Sequence, residues 1–290
     1  MDEVSEAIPK SIKKRKETDP SQTHYAIGSL DSLPSAEIKK GEEASLECPF
    51  SAGDVLCNGR YFLLEDIGKG VFSHVFKASD KMAPGQIVVI KIYKANFGGM
   101  HFSAHGVIEI KLLQLLSEVD VKNGVIARLL DHFVEKNNVC LVLEHFAKTL
   151  CQLSIDHNYY GFTLSIVKIF VWQILVALAE LDLPNVQIIH ADLKPDNIMI
   201  KEKCHYGIKI IDFGNAFFYE PHKTKYIQSR YYRSPEIILG FPYSTAIDMW
   251  SVGCIMYELH TGKPLFNGQS ELEQIVKFLF YWIGRKSLLM

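Results

Sequence analysis

The sequence predicts an α+β chain in two lobes, β-rich over residues 58–144 and helical over 145–290. Two patterns carry that expectation. Up to Glu144 the apolar residues fall in short β-branched or alternating runs separated by glycine-containing turns, as strands do. Beyond Glu144 they fall in longer runs with the three-to-four-residue spacing of helices. A chain of 290 residues can hold one large domain or two lobes and bury a sizeable core.

Residues 1–57 are rich in Ser, Glu, Lys and Asp, with few aromatics and no sustained period, and are expected as a disordered extension. Within them Lys13-Lys14-Arg15-Lys16 reads as a solvated charge run or as a nuclear-import signal. Strands are expected over Arg60–Asp66, Val75–Ala78, Ile87–Ile92 and Val139–Leu143, with a helix over Val107–Leu116. Helices follow at Leu164–Leu181, Asp248–His260 and Ser270–Gly284, with short strands at Ile198–Ile200 and Ile208–Ile211.

A formal net charge of −2 supplies no global basic field for nucleic acid or membrane, and basic residues do not interleave with aromatics. Six scattered cysteines without C-x-x-C spacing speak against zinc and for reduced thiols in the nucleus or cytoplasm. The acidic, polar start does not read as a secretory leader. Lys168, Gln173 and Glu180 interrupt the apolar run Phe162–Leu183, which suits a core helix better than a membrane span.

The chemistry concentrates in His190-Ala191-Asp192-Leu193-Lys194-Pro195-Asp196-Asn197, followed by Asp212-Phe213-Gly214 with Asp212 fifteen residues after Asn197. Phosphoryl transfer from ATP needs this set: an acid for the attacking hydroxyl, a cation for the phosphate, and oxygen ligands for Mg2+. Asp192 is the candidate acid, Lys194 the cation, and Asn197 and Asp212 the candidate metal ligands. His190 reads as a brace for the loop. Upstream, Ile67-Gly68-Lys69-Gly70 lies between strands, where backbone amides can approach phosphates and Val75 can cover an adenine. Alone that segment reads first as a hairpin turn. Lys91 closes an apolar strand, and Glu109 on the following helix is its candidate ion-pair partner.

Taken in order, these segments resemble the protein kinase signature from about Gly59 onward, with Ser234-Pro235-Glu236 in the A-P-E position. Asp248-Met249-Trp250-Ser251-Val252-Gly253 resembles the helix whose aspartate braces the catalytic loop. The segment Tyr226–Glu236 resembles the activation segment of dual-specificity tyrosine-regulated (DYRK) and homeodomain-interacting kinases of the CMGC group. His190-Ala191-Asp192 and Gly70-Val71-Phe72-Ser73 are similar to the pre-mRNA-processing Prp4 relatives. The resemblance implies a two-lobed protein kinase-like fold that binds ATP and Mg2+ and phosphorylates Ser or Thr of protein substrates. It implies autophosphorylation of Tyr226, with Arg230 and Arg233 clamping the phosphate. It places Leu143 at the back of the ATP pocket and gives Glu144 and Phe146 backbone contacts to adenine.

Two departures accompany the resemblance. Position 191 is Ala, where arginine is more widespread. Kinases of this type continue for several helices beyond the point where this sequence ends, so the helical lobe is expected to be truncated and to lack an arginine for Glu236. The alternative expectation is therefore a non-catalytic kinase-like scaffold or an inactive truncated isoform.

Overall fold

The computed structural model describes residues 48–70, 72–94, 102–119, 123–201, 206–221 and 225–286. The Lys13–Lys16 cluster and most of the expected disordered extension lie outside these residues. In the first lobe β1 (Val55–Leu56), β2 (Tyr61–Lys69), β3 (Ser73–Asp80), β4 (Ile87–Tyr93), β5 (Leu129–Glu135) and β6 (Asn138–Glu144) form one antiparallel sheet. Its order is β1-β2-β3-β4-β6-β5, and α1 (Phe102–Val119) enters the chain between β4 and β5.

Strand alternation divides β4 between two environments. Val88, Ile90 and Ile92 join Leu63, Phe76 and Val142 in the lobe's own core. Val89, Lys91 and Tyr93 line the opposite face, toward the cleft between the lobes. Lys91 stands directly between Val75 of β3 and Leu141 of β6. On α1, Glu109, Leu112, Leu113 and Leu116 are buried at helical spacing, so one carboxylate sits within an apolar stripe.

The second lobe carries β7 (Lys148–Thr149), α2 (Leu150–Asp156), α3 (Leu164–Leu181), β8 (Ile188–Ile189), β9 (Ile198–Ile200), β10 (Ile208–Ile210), β11 (Phe217–Phe218), α4 (Pro235–Ile238), α5 (Ala246–Thr261) and α6 (Glu271–Lys286). Thr149 caps α2 by accepting a hydrogen bond from the Gln152 N–H at 3.0 Å. By length and composition α3 could cross a membrane. Its buried residues Val167, Phe170, Ile174, Ala177, Leu178 and Leu181 form one stripe in the main core, which also takes Val252, Ile255 and Leu259 of α5. Gly262 ends α5 at φ +74°, where a Cβ would lie 1.7 Å from the Tyr159 carbonyl oxygen, so the turn admits glycine alone. Strands β9 and β10 pair with each other, as do β8 and β11, which brings the loops after β8 and β10 side by side.

The lobe boundaries shift at one end. Residues 48–57, expected as the close of the disordered extension, are packed: Phe50 and Leu56 are buried in the first lobe's core and β1 pairs with β2. Two apolar anchors in ten residues are too few to show a period, yet they suffice to seat the segment. Arg60 joins the same corner, with a forked pair to Asp80 (3.0 and 2.8 Å) and a contact to Asp131 at 2.8 Å. Leu56→Ala therefore removes a side chain that is 2% exposed and lowers stability by about 2–4 kcal/mol in chemical denaturation. A disordered segment would show no change.

Candidate active site

A cleft of about 920 Å³ lies between the lobes. Ile67, Gly68, Lys69, Gly70 and Val75 line it from β2 and β3, Lys91 and Glu109 from β4 and α1, and Glu144 and Phe146 from the connecting segment. Lys194, Asn197 and Asp212 line its opposite side. The residues that the sequence assigned to the nucleotide, the cation and the metal thus share one wall-to-wall site.

At its centre the Lys91 ammonium lies 2.9 Å from both oxygens of Glu109 and 2.7 Å from Oδ1 of Asp212. The Lys91 side chain is 9% exposed and that of Glu109 fully buried. Burial works against the Lys91 charge, but Glu109, Asp212 and Tyr93 together outweigh it and hold the ammonium well above the ordinary lysine value. The neighbouring Lys91 in turn pulls the Asp212 carboxyl down to about 2, against the cost of burial. Asp212 itself is in the left-handed region at φ +62°, and its Oδ1 accepts the Gly214 N–H at 3.3 Å.

The loop from His190 to Asn197 is held from below. Asp248 of α5 accepts the backbone N–H groups of His190 and Ala191 at 2.7 and 3.1 Å. Burial pushes the Asp248 carboxyl up, while His190 and the two N–H groups pull it back. Ala191 sits at φ +62°, a conformation that costs an L-residue about 1–2 kcal/mol and persists because both flanking groups are pinned. His190 is fully buried, with Nε2 3.0 Å from the Ile211 carbonyl and its ring edge-on to Phe213 at 4.8 Å. These contacts match the expected bracing role.

Asp192 is 8% exposed and carries three donors. Lys194 Nζ lies 2.9 Å from its Oδ2, the Ser229 hydroxyl donates to its Oδ1 at 2.6 Å, and Asn197 Nδ2 reaches its carbonyl at 2.8 Å. Lys194 also contacts the Ser229 oxygen at 3.1 Å. Ser229 was not singled out from the sequence. Its link to Asp192 spans 37 residues and leaves no local pattern.

The hinge end carries a second ion cluster. Glu144 pairs with Lys209 of β10 at 3.0 Å and with Arg128 at 2.8 Å, and these contacts overcome burial to lower its carboxyl. With the side chain so engaged, Glu144 has only its backbone to offer the cleft. Lys209 is itself buried and donates to the Ile126 carbonyl at 2.8 Å.

The expected two-arginine clamp around Tyr226 is half assembled. The Arg233 guanidinium stacks 4.0 Å from the Tyr226 ring centroid and donates to its hydroxyl, with Glu271 at 3.4 Å on the same nitrogen. Arg230 instead donates to the Gln269 carbonyl at 2.8 Å, because that acceptor, two residues before α6, captures the guanidinium. Tyr226 is 64% exposed.

Residues 61–284 match the family model described as the protein kinase domain. The chain is 42% identical over 217 residues to dual specificity tyrosine-phosphorylation-regulated kinase 4 of Homo sapiens, and equally so over 217 residues to kinase 2 of the same description from Drosophila melanogaster. It is 43% identical over 218 residues to serine/threonine-protein kinase ppk5 of Schizosaccharomyces pombe. Each match covers 74% of this chain, and 41%, 29% and 25% of the respective relative, so the chain spans less than half the length of each.

The Lys91–Asp212 contact fixes a pH dependence. A carboxyl lowered from 3.8 to about 2 on folding contributes stability that is present above the unfolded value and lost as pH falls through the folded one. Asp212→Asn is expected to flatten the fall in stability between about pH 4 and about pH 2, read from denaturation midpoints across that window. The Asp212 side chain is 38% exposed, so solvent screens part of the effect.

Proposed function

The chain belongs to the protein kinase family, and from that membership we propose that it transfers the γ-phosphate of ATP to serine or threonine hydroxyls of proteins and to its own Tyr226. The observation that carries this reading is the meeting of Lys91, Lys194, Asn197 and Asp212 around a single cleft, with Asp192 bonded to Lys194 and Asn197 at its edge. The DYRK-like relatives support the dual specificity.

The donor set suits Mg2+. Asp212 gives one oxygen to Lys91, and the Asn197 amide nitrogen is engaged by Asp192, which leaves an acceptor oxygen on each. Among the described residues no group of three or more His, Cys, Asp or Glu side chains could hold a metal. Asp212 and Asn197 would therefore share the ion with phosphate oxygens and water, as magnesium prefers. Bound there, the metal supplies neutralisation of the charge that builds on the transferring phosphate.

The chain's own groups do the rest. Lys91, aimed by Glu109, holds the α- and β-phosphates, and Val75 with the Ile67–Gly70 segment covers the nucleotide. Glu144 and Phe146 offer backbone groups to the adenine. Asp192 accepts the hydrogen of the attacking hydroxyl and orients its oxygen for in-line displacement. The carboxylate already accepts such a bond from Ser229 at 2.6 Å. Lys194, 2.9 Å from Asp192, balances charge on the γ-phosphate. These groups act by position and field rather than by a covalent intermediate. At Tyr226 an added phosphate finds Arg233 in place, and Arg230 has to leave the Gln269 carbonyl to complete the clamp.

The test uses purified chain, Mg2+ and γ-labelled ATP with a general protein substrate. Asp212→Asn is expected to cut transfer by about 10²-fold or more while the thermal melt at neutral pH stays cooperative. Full activity in that variant would sink the reading. Mass spectrometry of bacterially expressed protein is expected to find phosphate on Tyr226 in the wild type and none in Asp212→Asn. Absence of any transfer by the folded wild type points instead to a kinase-like binding scaffold.

A further inference from the structure

Behind the nucleotide cleft lies a buried titratable group that the proposed chemistry does not use. Tyr93 ends β4 two residues after Lys91 on the same strand face, and it is 1% exposed. Its hydroxyl donates to Oε2 of Glu109 at 2.6 Å, and its ring centroid lies 5.1 Å from Lys91 Nζ. Two glycines make the room. A Cβ on Gly106, one turn before Glu109 on α1, would stand 2.8 Å from the ring edge. A Cβ on Gly214 would stand 2.7 Å from the Tyr93 hydroxyl. Glycine is unfavourable inside a helix, and at Gly106 it lets α1 settle directly on the ring.

We propose that Tyr93 is a positioning residue, whose hydroxyl fixes the Glu109 carboxylate in the orientation that aims Lys91 at the nucleotide phosphates. The inference rests on the kinase reading for what Lys91 meets, and on the geometry for how it is held. A buried carboxylate held by a single cation can pivot with it. A second donor from a rigid, enclosed ring defines the carboxylate plane, and Lys91 is left to divide itself between Glu109 and Asp212. Burial and the adjoining Glu109 push the phenol far above its ordinary value, so it remains a donor throughout the range in which the protein works.

Tyr93→Phe keeps the ring and deletes the donor. The full chain is titrated with MgATP and, separately, with adenosine, which lacks the phosphates that Lys91 meets. MgATP affinity is expected to weaken about tenfold while adenosine affinity moves less than about twofold. Unchanged MgATP binding overturns the proposal, and so does an equal loss for both ligands, which marks a merely structural role. Combining Tyr93→Phe with Glu109→Gln gives a second measure, because the hydroxyl acts through that carboxylate. The two effects on MgATP are expected to be less than multiplicative, and full multiplicativity overturns the proposal. A folded wild type that binds neither ligand removes the kinase reading itself, an outcome distinct from all of these.

Discussion

Lys91 is an ammonium with almost no access to water, and a charge so placed must be surrounded by opposite charge or lose its proton. That requirement draws three separate pieces of chain together: β4 with Lys91, α1 with Glu109, and the turn after β10 with Asp212. Desolvating such groups costs several kcal/mol each, so the cluster is not chiefly a source of stability. Its value is geometric. Removing Lys91 leaves two carboxylates uncompensated, and removing either carboxylate leaves the ammonium a single partner, so sheet face, helix and turn adopt the one arrangement that satisfies all three.

Two further clusters repeat the principle at the rim of the site. Asp248 is buried in α5, where its carboxylate serves two backbone N–H groups and thereby holds Ala191 in a left-handed conformation. Glu144, Lys209 and Arg128 tie the end of β6 to β10, the strand that leads into Asp212. In each case an ionisable group is buried where the backbone itself must be held. The loop from His190 to Asn197, the end of β6 and the turn after β10 are thus fixed from behind.

Much of this could be read beforehand, for physical reasons that differ by element. Helix α3 follows its expected bounds because eighteen residues of apolar periodicity leave little choice. Helix α5 begins two residues earlier than expected, at Ala246, where the apolar pattern has not yet declared itself. Strand β5 escaped notice because Asp131 and His132 interrupt it and its residues are mostly half-buried. The seven residues of α2 bury only Leu150, too little to show a stripe. Glu109 was legible as a partner for Lys91 from its place on the helix after the strand, although the helical pattern set it with Lys111 and Gln114 opposite the apolar residues, and the structure buries it among them instead. Ser229, Tyr93 and the rerouted Arg230 were not, since each depends on a neighbour distant in sequence or on competition between acceptors. A resemblance can assign a long side chain to a clamp, but nearby carbonyls decide where its nitrogens go.

The same buried groups set the electrical character of the cleft. Of the charged residues that line it, Glu109, Asp196 and Asp212 face Lys69, Lys91 and Lys194, while Glu144 is paired with Arg128 and Lys209. Three carboxylates against three ammonium groups nearly cancel before anything binds. A multiply charged anion arriving bare gains no net attraction from such a balance, whereas one whose charge is already partly cancelled has less to lose on entering. The charges that shape the cleft are therefore balanced mainly by one another, and they leave little net field to draw in an anion.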